Sequence, residues 1–206
     1  MENVTHTKVN SSPGIFALIS SLNYFHPLSE GIEEFLEKNT YSCTFTKGKL
    51  LLKAGQVCEN IYFIKKGAVR GFIKEGQKDI TTWITAENEM VTSISSLDKK
   101  QPALENMQAL EDCEMLALSY VNLQVLYDTF PEFNIVIRKL LQQYYQDAEK
   151  RAFIARLTNA ESKYRYFILN HSNLVNRIPL KYVASFLGIT LETLSRVRKR
   201  LSTQKL

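Results

Sequence analysis

The stretch from Leu180 to Lys199, LKYVASFLGITLETLSRVRK, restricts the possible folds of this chain more than any other segment. Its apolar residues have the spacing of two short helices that pack across a tight turn. The small Ala184 allows the helices to cross closely, and Gly188 can adopt the left-handed backbone that ends a helix. Thr190 is placed to cap the next helix, which is predicted to begin near Leu191. The pattern predicts a helix-turn-helix.

The second helix of this pair is predicted to present one polar face. Four side chains follow helical spacing and project from the same side: Glu192, Ser195, Arg196 and Lys199. Glutamate can accept from a cytosine amino group and arginine can donate twice to a guanine edge, so this face suits the major groove of double-stranded DNA. The predicted DNA-binding residues are Lys181, Thr190, Glu192, Thr193, Ser195, Arg196, Arg198, Lys199 and Arg200, with Arg177 and Lys205 as further phosphate contacts.

The basic charge of the chain is concentrated in the same region. The 206 residues carry a formal net charge of +5. The segment from Arg177 to Leu206 holds seven basic residues and one acidic residue, which gives it +6 and leaves −1 for the preceding 176 residues. Such a segment is typical of a surface that meets a polyanion. An amphipathic helical hairpin with a solvated basic face is the alternative, and the agreement of small residue, glycine, cap and apolar spacing favours DNA binding.

Composition argues against several other classes of protein. A hydrophobic content of 45% is normal for a globular chain, and no run reaches the roughly 18 apolar residues of a membrane span. The polar start MENVTHTKVNSS lacks the order of a secretion signal, so we expect a cytoplasmic protein without a membrane partner. Three cysteines and three histidines are scattered, which predicts no disulfide, metal site or cofactor. No nucleophile–base pair or phosphate-binding glycine loop stands out, and we expect no enzymatic activity.

The region before the long helix has a different texture. Residues 1–14 are polar and are predicted to be disordered, and residues 15–38 have helical spacing that predicts short helices. From Tyr41, short apolar or alternating runs are broken by glycine turns, as in KGKLLLKAGQVCENIYFIKKGAVRGFIK. Turn signals at intervals of roughly eight to twelve residues predict a small antiparallel barrel. With a helix predicted over Tyr120–Tyr127, this region forms a domain over residues 15–130.

Pro131 opens the longest predicted helix, PEFNIVIRKLLQQYYQDAEKRAFIARL, which would be about 40 Å long. A stripe with spacings of three and four predicts a dimerisation face within residues 131–158: Ile137, Leu141, Tyr144, Ala148, Ala152 and Ala155. A second stripe, including Val136, Leu140 and Phe153, is predicted to pack on the barrel. The alternative is that both stripes pack within one chain. A symmetric homodimer would present two recognition helices to half-sites about one DNA turn apart.

Residues 159–206 form the last predicted unit, with one more helix, AESKYRYFILNHSNL, before the helix-turn-helix. Only five residues follow Leu201, which leaves little room for a beta wing. The predicted fold class is α+β. It consists of an N-terminal antiparallel beta-roll of jelly-roll type, a long dimerisation helix and a C-terminal helix-turn-helix domain.

Roll, long helix and helix-turn-helix in this order resemble the Crp/Fnr family of bacterial transcription regulators, over essentially the whole chain from about residue 16. The segments that carry the resemblance are KGKLLLKAGQVCENIYFIKKGAVRGFIK and ITLETLSRVRK. The resemblance implies a cyclic-nucleotide-binding-like effector domain over residues 15–130, a dimerising long helix, and base contacts by Glu192, Ser195 and Arg196. It also implies RNA polymerase as a further partner. ETLSR has the spacing of the fumarate-and-nitrate branch, whereas Leu191 stands where the catabolite-activator branch has another arginine.

The residues aligned with the family's effector pocket depart from its pattern. An ungapped alignment from Cys113 places the ribose-binding segment on Thr92, Ser93, Ile94 and Ser95, and the phosphate-binding arginine–serine pair on Ala103 and Leu104. Tyr144 and Ala148 of the long helix complete the candidate pocket. Because the phosphate-binding arginine is missing, we expect that the effector is a small molecule other than cyclic AMP, or that there is none. No cysteine cluster of the oxygen-sensing kind precedes Cys43.

The sequence therefore predicts a homodimeric, sequence-specific DNA-binding transcription regulator. The alternative is a small-molecule sensor that acts through a protein partner and carries a degenerate DNA-binding tail. That alternative predicts weak, salt-dependent DNA binding without sequence preference.

Overall fold

Short, glycine-punctuated segments fold into two antiparallel sheets in the computed structural model, which describes residues 7–8 and 13–203. The first sheet contains, in spatial order, β1 (Thr7–Lys8), β2 (Tyr41–Phe45), β9 (Cys113–Ser119), β4 (Asn60–Lys66) and β7 (Met90–Val91). The second contains β3 (Leu50–Leu52), β8 (Asn106–Ala109), β5 (Val69–Glu75) and β6 (Lys78–Thr85). The predicted beta-roll is confirmed.

Glycines close the turns of this roll because they tolerate positive φ. Gly67, between β4 and β5, has a φ of +110°, and a Cβ there would lie 2.5 Å from Cys113 Sγ. Both conformation and space therefore exclude a side chain at this position. The β5–β6 hairpin closes at Gly76 and pairs in antiparallel register, apart from a bulge between Gly71 and Phe72.

Helices precede, interrupt and follow the roll. They are α1 (Pro13–Phe25), α2 (Glu30–Asn39), α3 (Ile94–Lys99), α4 (Tyr120–Thr129), α5 (Pro131–Arg156), α6 (Ala160–Asn170), α7 (Leu180–Leu187) and α8 (Leu191–Thr203), with a 3-10 turn at Ser172–Leu174. The predicted helices before the roll, over 120–127 and from Pro131 are confirmed. The segment predicted to be disordered, 1–14, lies outside the described residues except for 7–8, which pair with β2, and 13–14, which begin α1.

Buried apolar side chains form two clusters. The larger joins the two sheets to α1, α2, α4 and the first half of α5. The smaller joins α6, α7, α8 and Ile154 of α5, and it also contains Ala68, Ile84, Ala86 and Leu110 of the roll. We call this smaller group the helix-turn-helix cluster, and α6, α7 and α8 together the helix-turn-helix unit. Because the cluster contains residues of the roll as well, this unit packs directly against the roll.

The covered side of α5 changes along its length. Val136 and Leu140 are buried, as predicted, whereas Phe153, predicted to lie with them, is 66% exposed. At that level the neighbouring Ile154 is buried and packs with the helix-turn-helix cluster. Successive residues on a helix point about 100° apart, so Phe153 turns outward where Ile154 turns inward. The prediction for Phe153 is wrong because the C-terminal part of α5 packs against the helix-turn-helix unit, whereas its N-terminal part packs against the roll.

Candidate DNA-binding surface

The turn between α7 and α8 is built by the residues that the sequence indicated. Gly188 has a φ of +62°, and its N–H donates to Ser185 O at 3.1 Å. This left-handed glycine ends α7. Thr190 Oγ1 accepts from the N–H of Thr193 at 3.1 Å and so caps α8. The predicted helix end, cap and helix start at Leu191 are confirmed.

A buried lysine that the sequence did not reveal supports this turn. Lys163 on α6 is 6% exposed, and its Nζ donates to Leu187 O at 2.9 Å and to Ala155 O at 3.5 Å. An ammonium group is favourable there because unpaired carbonyls gather at the ends of helices. Lys163 thus joins the ends of α5 and α7. Its local sequence does not distinguish it from a solvated lysine.

The two sides of α8 differ in exposure. Leu194 and Val197 are buried and pack in the helix-turn-helix cluster. Four of the predicted DNA-binding residues are exposed: Glu192, Ser195, Arg196 and Lys199. Because they follow helical spacing, the structure brings them together on one face.

Charges on this face suit hydrogen bonding to base edges. Hydrogen bonds from its own backbone and from Thr190 hold the pKa of Glu192 below its ordinary value, and the charge of Arg196 acts in the same direction. The Glu192 carboxylate is therefore an ionised acceptor at neutral pH, and the Arg196 guanidinium is a donor. An acceptor and a donor one helical turn apart can address the distinct edges that base pairs present in the major groove.

The other predicted basic residues differ in availability. Lys181 is exposed and Arg198 is half-buried. Arg200 forms an ion pair with Glu161 at the start of α6, and Glu161 also pairs with Arg165 at 2.8 Å. Glu161 therefore competes with a phosphate for the Arg200 guanidinium. Lys205 lies outside the described residues.

Arg177, which was predicted to contact a phosphate, is paired with two carboxylates of the roll. Its Nη1 and Nη2 donate to the Glu87 carboxylate at 2.9 and 2.6 Å, and Nη2 also donates to Glu111. Hydrogen bonds from Arg177 lower the pKa of Glu87 to about 2, and the N–H of Gly67 acts in the same direction. Both carboxylates belong to the roll, 90 and 66 residues away in sequence. Arg177 therefore ties the helix-turn-helix unit to the roll.

An apolar stripe lies on the outward side of α5. Five of its residues are exposed: Leu141 (47%), Tyr145 (67%), Ala148, Ala152 and Ala155. Tyr144, predicted to belong to this stripe, lies on the roll side, where its hydroxyl donates to Met90 O at 3.1 Å and accepts from Met90 N at 2.9 Å. Ile137 is half-buried and packs against the larger core. With Tyr145 in place of Tyr144, the spacings are four, three, four and three, the repeat of a helix pair.

The residues predicted to form an effector pocket do not share one environment. Ser93 and Ala103 are buried, and the Thr92 hydroxyl donates to Asn60 O at 3.0 Å. Four others are exposed: Ile94, Ser95, Leu104 and Ala148. Tyr144 is occupied by its bonds to β7. The structure thus divides the predicted set between the interior and the surface.

Close to this region is a contact that the sequence did not predict. The indole of Trp83 on β6 lies against Gly71 on β5, where an added Cβ would be 2.2 Å from the ring. Its Nε1–H donates to Glu105 Oε2 at 2.9 Å. The feature of the sequence that could have indicated this contact is Gly71, because a glycine inside a strand often marks a place where another group approaches the backbone closely.

The described residues offer no candidate metal centre: within 7–8 and 13–203 no group of three or more His, Cys, Asp or Glu could hold an ion. Cys43, Cys58 and Cys113 are buried and free. Burial raises the pKa of Cys43 to about 12 and that of Cys113 to about 11, so both thiols stay protonated at neutral pH. None of the helices in this part of the chain has the length and hydropathy to cross a bilayer.

Known proteins share this architecture. Residues 42–130 match the family described as cyclic nucleotide-binding domain. The chain is 23% identical over 173 residues to the fumarate and nitrate reduction regulatory protein of Vibrio cholerae, covering 78% of this chain and 68% of that protein. FixK2 from Bradyrhizobium japonicum has a TM-score of 0.69 at 18% identity, over 81% of this chain and 86% of that one. The catabolite activator protein of Thermus thermophilus has a TM-score of 0.52 at 22% identity, over 90% and 88%.

The fold and the matched residues define a cyclic nucleotide-binding domain that a long helix joins to a helix-turn-helix. In sequence and in fold the chain is similar to transcription regulators of the Crp/Fnr type. It spans between 60% and 70% of the length of five curated relatives, which are named as regulatory or activator proteins and not as enzymes.

Proposed function

We propose that this protein is a homodimeric regulator of transcription that reads a palindromic DNA sequence. The observation that carries the proposal is the exposed face of α8, where Glu192, Ser195 and Arg196 project from a helix whose other side is buried. Their acceptor and donor groups match the edges of a C·G base pair. Lys181 and Arg198 supply phosphate contacts, which position the helix without reading sequence. Such a regulator acts in the cytoplasm, with RNA polymerase as a further partner.

Two copies associate through the outward stripe of α5 in this proposal. Leu141 and Tyr145 are large, exposed and apolar, and an open groove of about 1030 Å³ runs beside them. The alanines that continue the stripe are small enough to let two helices approach closely. A two-fold axis along this stripe presents two copies of α8 to half-sites about 34 Å apart.

The effector in this proposal is not cyclic AMP. Ala103 and Leu104 stand where the phosphate-binding pair of the family is expected, and neither supplies a cation or a hydroxyl. A phosphate buried without a partner costs several kcal/mol. Calorimetric titration with cyclic AMP is therefore expected to show no saturable binding, and tight saturable binding would refute this part of the proposal.

The proposal is tested by selecting DNA sites from a random duplex library with the purified full chain. We expect a two-fold symmetric consensus. On that site, Arg196→Ala should cost about 1–3 kcal/mol of binding free energy for each half-site and relax the preference at one base pair. Lys38→Ala, which removes an exposed positive charge on α2, is the matched control and should leave the affinity unchanged.

Two outcomes would contradict the proposal. One is selection without any enriched sequence, with binding that depends only on salt concentration. The other is an Arg196→Ala loss that is equal on consensus and scrambled duplexes, because this would make Arg196 a phosphate contact.

A further inference from the structure

The first helix of the helix-turn-helix completes the edge of the second sheet. Strand β6 is at the edge of this sheet and is the strand that α7 covers. Ser185 on α7 uses its hydroxyl twice, accepting from the N–H of Thr81 at 2.9 Å and donating to Asp79 O at 3.0 Å. Backbone groups on an edge strand need partners, and here a side chain more than a hundred residues away supplies them.

A buried arginine lies under the same helix. Arg70 on β5 is 2% exposed, and its guanidinium donates to Asp79 Oδ2 at 2.7 Å, Thr81 Oγ1 at 3.2 Å and Gln108 Oε1 at 2.9 Å. Its carbon Cζ also lies 4.0 Å from the ring centroid of Phe72 and 4.0 Å from that of Tyr182. The oxygens satisfy the edges of the guanidinium and the rings cover its faces. One of those two rings, Tyr182, belongs to α7.

The β5–β6 hairpin therefore has a different partner on each face. Residues alternate in direction along a strand. Arg70 and its cross-strand partner Ile84 face the helix-turn-helix unit, whereas Gly71 and its partner Trp83 face the other way. One face of the hairpin packs against the interior of the roll, and the other face packs against the helix-turn-helix unit.

We infer that Arg70 is a positioning residue that, through Tyr182 and the adjoining Ser185 contact, sets the orientation of the helix-turn-helix unit relative to the roll. This inference rests on the proposed function. In a dimer held by α5, that orientation determines where the two copies of α8 lie relative to each other. None of these three residues is assigned a DNA contact. The Tyr182 ring centroid also lies 4.9 Å from Nζ of Lys181, a proposed phosphate contact, so the affinity for one half-site is the control for a direct effect on binding.

The test uses two substitutions at one position in the full chain. Tyr182→Leu removes the ring from Arg70, and Tyr182→Phe keeps it. Affinity is measured on a duplex with two half-sites and on a duplex with one. Amide hydrogen exchange at Thr81, whose N–H bonds to Ser185, is measured without DNA. Binding to one half-site needs only the DNA contacts of one copy, whereas binding to two half-sites also needs the correct orientation of the two copies relative to each other.

We expect Tyr182→Leu to change the ratio of the two affinities at least roughly fivefold and to speed exchange at Thr81, with one-half-site affinity unchanged. Tyr182→Phe should behave as the wild type. The ratio is the affinity for two half-sites divided by the affinity for one. A lower ratio in Tyr182→Leu means that the wild-type orientation favours binding to two half-sites, and a higher ratio means that it opposes such binding. Either change indicates that the contact sets the orientation. An unchanged ratio or unchanged exchange would overturn the inference. A loss on the one-half-site duplex that is doubled in free energy on the two-half-site duplex would also overturn it, because such a loss arises at the DNA contacts of each copy. If the wild type selects no DNA site, the proposed function fails, and exchange at Thr81 still decides whether Tyr182 holds the unit in place.

Discussion

Replacing Gly71 by alanine places a methyl group inside the ring of Trp83. The added Cβ would lie 2.2 Å from the indole atoms Cε2 and Nε1 and 2.7 Å from Cζ2. Non-bonded carbon atoms prefer about 3.5–4.0 Å, so the ring or the strand must move by more than about 1 Å. A shift of this size also breaks the hydrogen bond from Nε1 to Glu105, which is 2.9 Å long.

The expected cost is the sum of these two effects. Overpacking a well-packed site costs about 1–3 kcal/mol. Losing the hydrogen bond adds about 1 kcal/mol. For a chain of this length each kcal/mol lowers Tm by about 2–4 °C, so Gly71→Ala should lower Tm by roughly 4–16 °C.

The assay uses the chain's single tryptophan, so the intrinsic tryptophan emission reports on Trp83 alone. Emission is compared between the wild type and Gly71→Ala. Thermal unfolding of the wild type, Gly71→Ala, Trp83→Phe and the double variant is followed by far-ultraviolet circular dichroism, because the last two variants contain no tryptophan. Trp83→Phe removes the hydrogen bond and reduces the ring, which relieves much of the overlap. The double variant should therefore be more stable than the sum of the two single losses implies. Additive losses, or an unchanged emission spectrum in Gly71→Ala, would refute the reasoning.

Three further predictions concern DNA contact, assembly and pH. Arg198→Ala should weaken binding equally on consensus and scrambled DNA and reduce the slope of log affinity against log salt by about 1 for each phosphate that the protein no longer neutralises; a sequence-dependent loss would contradict this. Leu141→Glu should be monomeric by light scattering, whereas Gln143→Glu, which adds the same charge to α5, should remain dimeric. A dimeric Leu141→Glu protein would exclude the stripe as the dimer interface. The pKa of Glu87 is lowered from 4.5 to about 2 by Arg177, so the stability that this pair contributes is present above pH 4.5 and is lost as pH falls towards 2. The Tm of Glu87→Gln should therefore depend less on pH over that window, and parallel profiles would rule out the pair as the cause.

Local signals account for the parts that could be predicted. The helix-turn-helix was readable because its glycine, its threonine cap and its apolar spacing act within a few residues of one another. The strands of the roll could be predicted because turn glycines recur along the chain. The order of the strands could not, since partners such as β2 and β9 are about seventy residues apart in sequence. Phe153 and Tyr144 were misassigned for a related reason, because periodicity describes the faces of a helix and does not say what covers each face.

Local sequence signals are sufficient to specify which elements form, where α8 begins and which of its side chains face outward. The partners of the charged residues, in contrast, follow from the three-dimensional packing of the chain. Arg177 resembles Arg198 in sequence, yet its guanidinium is paired with two carboxylates of the roll. Lys163 resembles a solvated lysine, yet it is buried and donates to the C-terminal end of α7. Arg70 became the contact between roll and helix-turn-helix for the same reason. The energy of a charge depends on the partners and solvent around it, and those partners come from distant parts of the chain.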